Sequence, residues 1–157
     1  MPPPPVNLPV VEHVAVLVVV DNTTDRRDLL GEHGLSLWVE ADNARLLFDT
    51  GQGEALRHNV PALNVPLADA DAVVLSHGHY DHTGGLPQVM AEASAAIVAL
   101  HPAAVGPRFS RGDAPPHRPI GVPEDAGTAL RGREGRVTWT ESPTQIVPGV
   151  WVTGEIP

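Results

Sequence analysis

Short apolar runs that stop abruptly at turn residues are the feature that most limits how this chain can fold. The strongest, residues 14–20, is a continuous series of Val, Ala and Leu, and it predicts a strand that is buried on both faces. It is far shorter than the ~20 residues needed to span a bilayer. Further runs of strand length occur at residues 35–40, 45–49, 71–76, 97–100, 136–139 and 150–153.

Helices are predicted between several of these strands. One short helix is expected over residues 54–59, and another from Gly84 to about Ala96, with Pro87 suited to its first turn. Residues 106–135 are rich in Gly, Pro and Arg and predict a long loop with short helices. Strands mixed with helices indicate a layered α/β fold. Residues 1–12 are interpreted as a proline-rich lead-in, and residues 13–157 as belonging to one domain.

Cysteine is absent, which excludes disulfides, thiolate metal sites and cysteine nucleophiles together. Any metal ion must therefore be held by histidine and carboxylate side chains, a donor set that suits zinc, manganese or iron. The formal net charge of −9 disfavours a nucleic-acid partner, because an acidic chain has no general attraction for phosphate backbones.

The first five residues are a proline run without a basic segment and do not predict a signal peptide. We therefore expect a cytoplasmic protein that acts on a small-molecule substrate and binds neither nucleic acid nor membrane. The sequence leaves the oligomeric state open.

Four metal-capable side chains lie within six positions, directly after the predicted strand 71–76. His77 and His79, two apart in an extended loop, can point to the same side, and Asp81 and His82 can then face a second point nearby. Neutral imidazole and carboxylate are good ligands for divalent ions. Two ions that share a water would lower its pKa towards ~7 and supply hydroxide at neutral pH.

Two glycines, Gly78 and Gly84, flank and interrupt this cluster. We expect them to let the backbone turn tightly, because glycine adopts conformations that other residues avoid. The alternative is a polar turn with exposed histidines. Three histidines and an aspartate so close together argue for a common ion instead.

The pattern H-x-H-x-D-H after an apolar strand resembles the signature of the metallo-β-lactamase fold. Residues 46–51, Leu-Leu-Phe-Asp-Thr-Gly, are similar to that family's strand and Asp-Thr-Gly turn upstream of the histidines. Residues 32–36, the pair His101-Pro102 and the closing residues 153–157 resemble one branch of the family. That branch contains the dihydropterin-ribofuranosylaminobenzene-phosphate synthase-like proteins, which are linked to methanopterin biosynthesis.

The resemblance implies a four-layer αββα sandwich of two similar halves, of which this chain would supply the first, a mixed sheet flanked by helices. It implies that His77 and His79 bind one metal ion, and that Asp81 and His82 bind a second. The ions would be zinc, with manganese or iron as alternatives. Asp49 would support the histidine loop by hydrogen bonds, and Asp81 is the candidate catalytic residue.

The implied activity is that of a metal-dependent hydrolase acting on an ester, thioester, lactam or phosphoester. In the suggested branch the metals would instead assist a pterin condensation, which is formally a transferase reaction. Family members continue well beyond Pro157 and take further metal ligands from their second half, and neither His101 nor His117 matches those positions. The chain is therefore predicted to be an N-terminal portion, and an inactive, truncated metal-binding fragment is the alternative to an enzyme.

Weaker signals suggest other roles. Asp49-Thr50-Gly51 also resembles the catalytic turn of aspartic proteases, which would require a homodimer, because those enzymes use two aspartates that share a proton. Three residues are candidates for substrate contact, although exposed loop or structural roles fit them as well. These are His33, in a glycine-flanked loop; His101, at a strand end; and Arg108, which with Arg111 would clamp a phosphate.

Overall fold

Six strands form one mixed sheet in a computed structural model that describes residues 9–111 and 115–155. The sheet follows chain order, with β1, β2 and β3 antiparallel and β3 to β6 parallel. A separate antiparallel hairpin contains β7 and β8. The strand bounds are β1 Val14–Val20, β2 Ser36–Ala41, β3 Ala44–Phe48, β4 Ala72–Val74, β5 Ile97–Leu100, β6 Val137–Trp139, β7 Thr144–Val147 and β8 Val150–Val152.

In the described part of the chain, four α-helices connect the parallel strands. They are α1 Glu54–Ala62, α2 Tyr80–Thr83, α3 Leu86–Glu92 and α4 Glu124–Arg131. One face of the sheet packs against α1, α3 and α4, and this layer holds most of the core, including Leu47, Leu56, Val73, Leu86, Val98 and Leu130. The expected layered α/β architecture, a mixed sheet flanked by helices, is confirmed.

The opposite face of the sheet is covered in part by the hairpin of β7 and β8. Ile146 packs there with four buried sheet residues: Leu46, Ala72, Val74 and Ala99. Strand β7 is absent from the sequence prediction, because only two of its four residues are apolar. The other predicted strands are present, and their ends differ from the predicted ones by two residues at most.

The prediction that residues 14–20 are buried on both faces is wrong. Among the described residues, β1 is an edge strand paired only with β2, and its first five residues are exposed. Val14, Val16 and Val18 are 63%, 57% and 50% exposed. Strand register places Val16 in one row with Val39 and Leu46, on the face of the sheet against which the hairpin packs. The hairpin covers this face at the more central strands and leaves β1 exposed. An apolar run therefore fixed the strand but not its position in the sheet.

Of the predicted lead-in, residues 1–8 lie outside the described residues, as do residues 156–157 of the closing segment, while residues 9–12 have no regular secondary structure. The predicted helix from Gly84 is shorter than expected and ends at Glu92. Within residues 9–111 and 115–155, no helix is long and apolar enough to cross a membrane.

Candidate metal centre

The histidine cluster lies where the buried strand β4 leaves the sheet. Ser76 to His79 follow the strand, and His79 is still extended, with φ −86° and ψ 150°. The chain then turns into α2, which carries Asp81 and His82. The predicted extended loop is therefore correct for the first pair of candidate ligands, whereas the second pair lies on a single helical turn.

Gly78 allows a close contact between two loops rather than an unusual backbone conformation. A Cβ atom at this position would lie 1.7 Å from the carbonyl oxygen of Ala104, in the turn after β5. Neither Gly78 nor Gly84 has a positive φ, so the expectation of a conformation reserved for glycine is wrong. The glycine is required because only a hydrogen atom fits in that space.

Asp49 links the end of β3 to the histidine loop. It is fully buried and has a φ of +58°, a conformation that Asp tolerates better than most residues. Its Oδ1 accepts a hydrogen bond from the backbone N–H of Ser76 at 2.8 Å. Its Oδ2 accepts from the Ser76 hydroxyl at 2.7 Å and pairs with Nδ1 of His82 at 2.8 Å. One buried carboxylate thus contacts both the residue before His77 and the last histidine of the cluster.

These contacts determine which nitrogen of each ring carries hydrogen. An ionised Asp49 can only accept, so Nδ1 of His82 donates to it. The hydroxyl of Ser76 gives its hydrogen to Asp49, so it accepts from Nδ1 of His77 at 2.9 Å. In the neutral form of each ring, Nε2 is then unprotonated, and its lone pair faces another candidate ligand.

The Nε2 atoms of His77 and His82 each lie close to an atom of another candidate metal ligand. Nε2 of His77 lies 3.0 Å from Nδ1 of His79, and Nε2 of His82 lies 3.6 Å from Oδ2 of Asp81. The rings of His77 and His82 are 4.2 Å apart, centroid to centroid. Burial lowers the pKa of the His77 imidazole, and the charges of His82 and His79 lower that pKa further. The neutral form that binds metals is therefore favoured at His77.

The side chains contact one another directly rather than surrounding a vacant point. Among residues 9–111 and 115–155, no group of three or more His, Cys, Asp or Glu side chains is arranged as an ion would require. The structure brings the four candidate ligands together in two pairs, one on the loop after β4 and one on α2. The buried Asp49 contacts both segments.

His33 reaches this cluster from a loop far away in sequence. Its Nδ1 lies 3.2 Å from Oδ2 of Asp81, and its side chain is 70% exposed, whereas that of Asp81 is 10% exposed. Of the three candidate substrate contacts, His33 is the one that the structure brings to the cluster. Glu32 and Gln52 hold this loop in place through hydrogen bonds to backbone groups.

His101 and Arg108 contact the turn after β5 rather than the cluster. Nδ1 of His101 accepts from the N–H of Ala103 at 3.1 Å, and the guanidinium of Arg108 donates to the carbonyl of Ala103 at 2.9 Å. Both side chains thus support the turn that packs on Gly78. No hydrogen bond or ion pair joins either of them to the four candidate ligands in the described part of the chain.

Sequence reasoning missed two residues of this site. Ser76 directly precedes His77, and a hydroxyl beside a candidate ligand was the available signal. Glu32 directly precedes His33, but nothing in the sequence indicated that its carboxylate would bind backbone N–H groups some 20 residues away.

Comparison with known proteins identifies the family. The profile of the Metallo-beta-lactamase superfamily matches residues 30–155, which include every residue of the cluster. The chain belongs to the metallo-β-lactamase superfamily. Its mixed sheet with flanking helices is the fold seen in solved members of that superfamily, and the expected resemblance is confirmed.

Two similar proteins come from Methanocaldococcus jannaschii. One is an uncharacterised protein, 32% identical over 144 residues, a match that covers 90% of this chain and 53% of that protein. The other is named 7,8-dihydropterin-6-methyl-4-(β-D-ribofuranosyl)-aminobenzene-5′-phosphate synthase and is 31% identical over 140 residues, with 80% of this chain and 44% of that protein covered. The chain therefore spans about half the length of these relatives. The relationship supports an enzyme family that includes a pterin-related synthase.

A solved structure gives the same result for the fold. A crystal structure described as a metal-dependent hydrolase of the β-lactamase superfamily superposes with a TM-score of 0.61 at 28% identity. The superposition covers 86% of this chain and 45% of that one. Members of this superfamily generally bind metal ions, and the residues matched by the family profile include the histidine cluster.

Proposed function

We propose that this chain carries the main part of a dinuclear metal centre in a metal-dependent enzyme. His77 and His79 would bind one ion, and Asp81 and His82 a second, with zinc as the expected metal and manganese or iron as alternatives. The observation that carries the proposal is the pair of Nε2 lone pairs, fixed by Asp49 and Ser76, that face the other donors of the cluster.

The donor atoms fit such ions chemically. If Nδ1 of His82 donates to Asp49 and the ring is neutral, its Nε2 and Oδ2 of Asp81 are two acceptors that face each other at 3.6 Å with no hydrogen between them. A cation would satisfy both atoms. Imidazole nitrogen and carboxylate oxygen are also the ligands that zinc takes in the absence of cysteine.

The chain's own residues would orient and support the ligands. Asp49 keeps His77 and His82 in the tautomer that offers Nε2, because its carboxylate draws the hydrogen of each ring to Nδ1, directly or through Ser76. Asp81, which lies between His33 and His82, is the candidate catalytic residue. Bound divalent ions would supply Lewis-acid chemistry and acidify a water molecule.

We infer a small-molecule substrate with an electrophilic centre, and two reaction classes. The solved relative described as a metal-dependent hydrolase supports hydrolysis of an ester, thioester, lactam or phosphoester. The relative named as a pterin-related synthase supports a condensation that is formally a transfer. Because the chain spans about half of these relatives, an inactive metal-binding fragment is the competing proposal.

The aspartic-protease interpretation of Asp49-Thr50-Gly51 receives no support. The Asp49 carboxylate is completely buried, and both of its oxygens already accept hydrogen bonds. Such a carboxylate offers nothing to a peptide substrate. A protease dyad requires two aspartates that share a proton at an accessible site.

The test is the zinc content of the purified 157-residue chain, measured by elemental analysis. We expect zinc in the wild type and loss of tight binding in the double variant His77→Ala with His79→Ala, which removes both ligands of the first ion. The matched control is His13→Ala with His58→Ala, which removes two exposed histidines outside the cluster. Equal zinc content in the wild type and the first double variant contradicts the proposal.

An activity assay separates the enzyme from the fragment. Turnover of phosphoester, thioester or pterin substrates that disappears in the cluster variant supports a catalytic chain. Zinc binding without any turnover supports the inactive metal-binding fragment.

A further inference from the structure

The loop that carries His33 is docked against the Asp81 turn by contacts from both sides. Oε1 of Glu32 accepts from the backbone N–H of Gln52 at 2.8 Å and of Gly53 at 3.2 Å, and Oε2 accepts from the N–H of Ala55 at 3.0 Å. A single carboxylate thus binds three N–H groups at the start of α1. Such groups have no partner inside a helix and carry a positive partial charge, so this anchor is strong.

The backbone on either side of His33 is fixed as well. The side-chain amide of Gln52 donates to the carbonyl of His33 at 2.6 Å, and the N–H of Gly34 donates to Oδ1 of Asn22 at 3.1 Å. Gly34 has a φ of +142°, and a Cβ atom there would lie 2.2 Å from the backbone carbonyl oxygen of Asp81. The loop can approach the Asp81 turn this closely because position 34 is glycine.

The docked loop brings one polar side chain to the Asp81 carboxylate. Nδ1 of His33 lies 3.2 Å from Oδ2 of Asp81, the same oxygen that Nε2 of His82 faces at 3.6 Å. A carboxylate on a single helical turn can rotate about its side-chain bonds. A hydrogen bond from His33 would limit that rotation and hold Oδ2 towards His82.

We propose that His33 is a positioning residue for Asp81, and that Glu32 acts through it by anchoring the loop. Nδ1–H of His33 donates to Asp81 and sets the direction of its carboxylate, while the remainder of the ring is exposed. This inference rests on the proposed function, because it assigns His33 to the binding of the ion that Asp81 and His82 hold.

The probe is cobalt(II), titrated into the 157-residue chain and followed by calorimetry and visible absorption. The variant Asp81→Ala first identifies the binding step that depends on Asp81. We expect His33→Ala to weaken that step by ~10–100-fold, the usual effect of losing a hydrogen-bond partner of a metal ligand. The step that depends on His77 and His79 should be unchanged, and the exposed control His58→Ala should bind as the wild type does.

Rescue distinguishes positioning from metal ligation. The side-chain N–H of Asn reaches nearly the same place as Nδ1 of His, so His33→Asn is expected to restore most of the affinity. If His33→Asn binds as weakly as His33→Ala, and X-ray absorption of the cobalt form loses one imidazole nitrogen on the alanine change, His33 is a ligand and the positioning proposal is wrong. Unchanged affinity in His33→Ala also overturns it.

A double-mutant cycle tests the part played by Glu32. Glu32→Gln removes the charged anchor and is expected to weaken the Asp81-dependent step less than His33→Ala does. If Glu32 acts through His33, adding Glu32→Gln to His33→Ala has no further effect on cobalt affinity. Fully additive effects contradict that route.

Failure of the proposed function gives a different result from failure of this inference. If no cobalt binds, or if no binding step depends on Asp81, the metal centre itself is wrong and the role of His33 falls with it. If Asp81→Ala abolishes a step that His33→Ala leaves intact, the metal centre stands and only the positioning role is refuted.

Discussion

Replacing Asp49 with Asn tests whether one buried carboxylate controls the chemistry of the cluster. The change keeps size and shape, and Asn tolerates the positive φ of 58° as Asp does, so the backbone has no new strain. What is lost is the negative charge and one acceptor oxygen. An amide oxygen can still accept from the N–H of Ser76, but the amide NH₂ then faces the Ser76 hydroxyl and Nδ1 of His82, both of which donate to Asp49.

The magnitude follows from counting these bonds. Hydrogen bonds to a charged group contribute ~1.5–3 kcal/mol each, and two of three are disrupted. The Ser76 hydroxyl can turn and accept from the amide, so we expect a loss of about 3 kcal/mol in the free energy of unfolding of the metal-free chain. His82 is expected to accept at Nδ1 and move its hydrogen to Nε2. That change removes the lone pair offered to an ion and lowers metal affinity by ~10–100-fold.

Three measurements test this reasoning. Urea denaturation gives the stability change, competition with a chelator gives zinc affinity, and ¹⁵N NMR of the imidazoles reports the tautomer of His82. If Asp49→Asn binds zinc as the wild type does and His82 keeps its hydrogen on Nδ1, the carboxylate does not set the tautomer and the argument is refuted. Pepstatin-sensitive peptide cleavage that Asp49→Asn stops would instead support the protease interpretation.

Three further predictions concern the fold. Hydrogen bonds from the N–H groups of His13 and Glu12 lower the pKa of Asp42. The ionised carboxylate therefore stabilises the native state above the unfolded pKa of ~4, and this contribution is lost as the pH falls through the lower folded pKa. Urea denaturation should show that Asp42→Asn is less stable than the wild type at pH 7, by a margin that shrinks below about pH 4. Gly78→Ala should lower the free energy of unfolding by ~1–3 kcal/mol, and so the melting temperature, because its Cβ meets a backbone carbonyl. Gly135→Ala, which has open space around its Cβ among the described residues, should have no such effect. Equal melting temperatures for the two variants would contradict this explanation. The chain is expected to self-associate through the exposed face of β1, which carries Val14, Val16 and Val18. Sedimentation at several concentrations should show weaker association when these three valines are replaced by threonine. An unchanged association constant would place the contact elsewhere.

The sequence predicted the parts of this protein that depend on neighbouring residues. Apolar runs located the strands, and the spacing of His77, His79, Asp81 and His82 was enough to identify the cluster. Residues close in sequence have few ways to be arranged at the end of a strand, so their pattern is informative.

What the sequence did not predict depends on contacts between distant segments. The anchoring of Glu32 joins residues 20 to 23 positions apart, and the link from Asp49 to Ser76 spans 27 positions. The exposure of β1 depends on which strands lie next to it and on how far the hairpin extends. Neither local preference nor hydrophobic pattern contains that information, and the reason for Gly78 became visible only when the facing carbonyl of Ala104 was located.

The backbone around the cluster has a consequence for how an ion would enter and leave. Thr50 donates to the carbonyl of His82 through both its N–H, at 2.8 Å, and its hydroxyl, at 3.0 Å, and the N–H of Gly84 donates to the carbonyl of Gly51 at 2.9 Å. These bonds tie α2 to the end of β3 without using a candidate ligand. If an ion binds as proposed, loading would order side chains on a backbone that is already held, unlike small zinc domains, in which binding drives folding of the whole chain. The metal-free protein should remain folded and ready to exchange one ion for another.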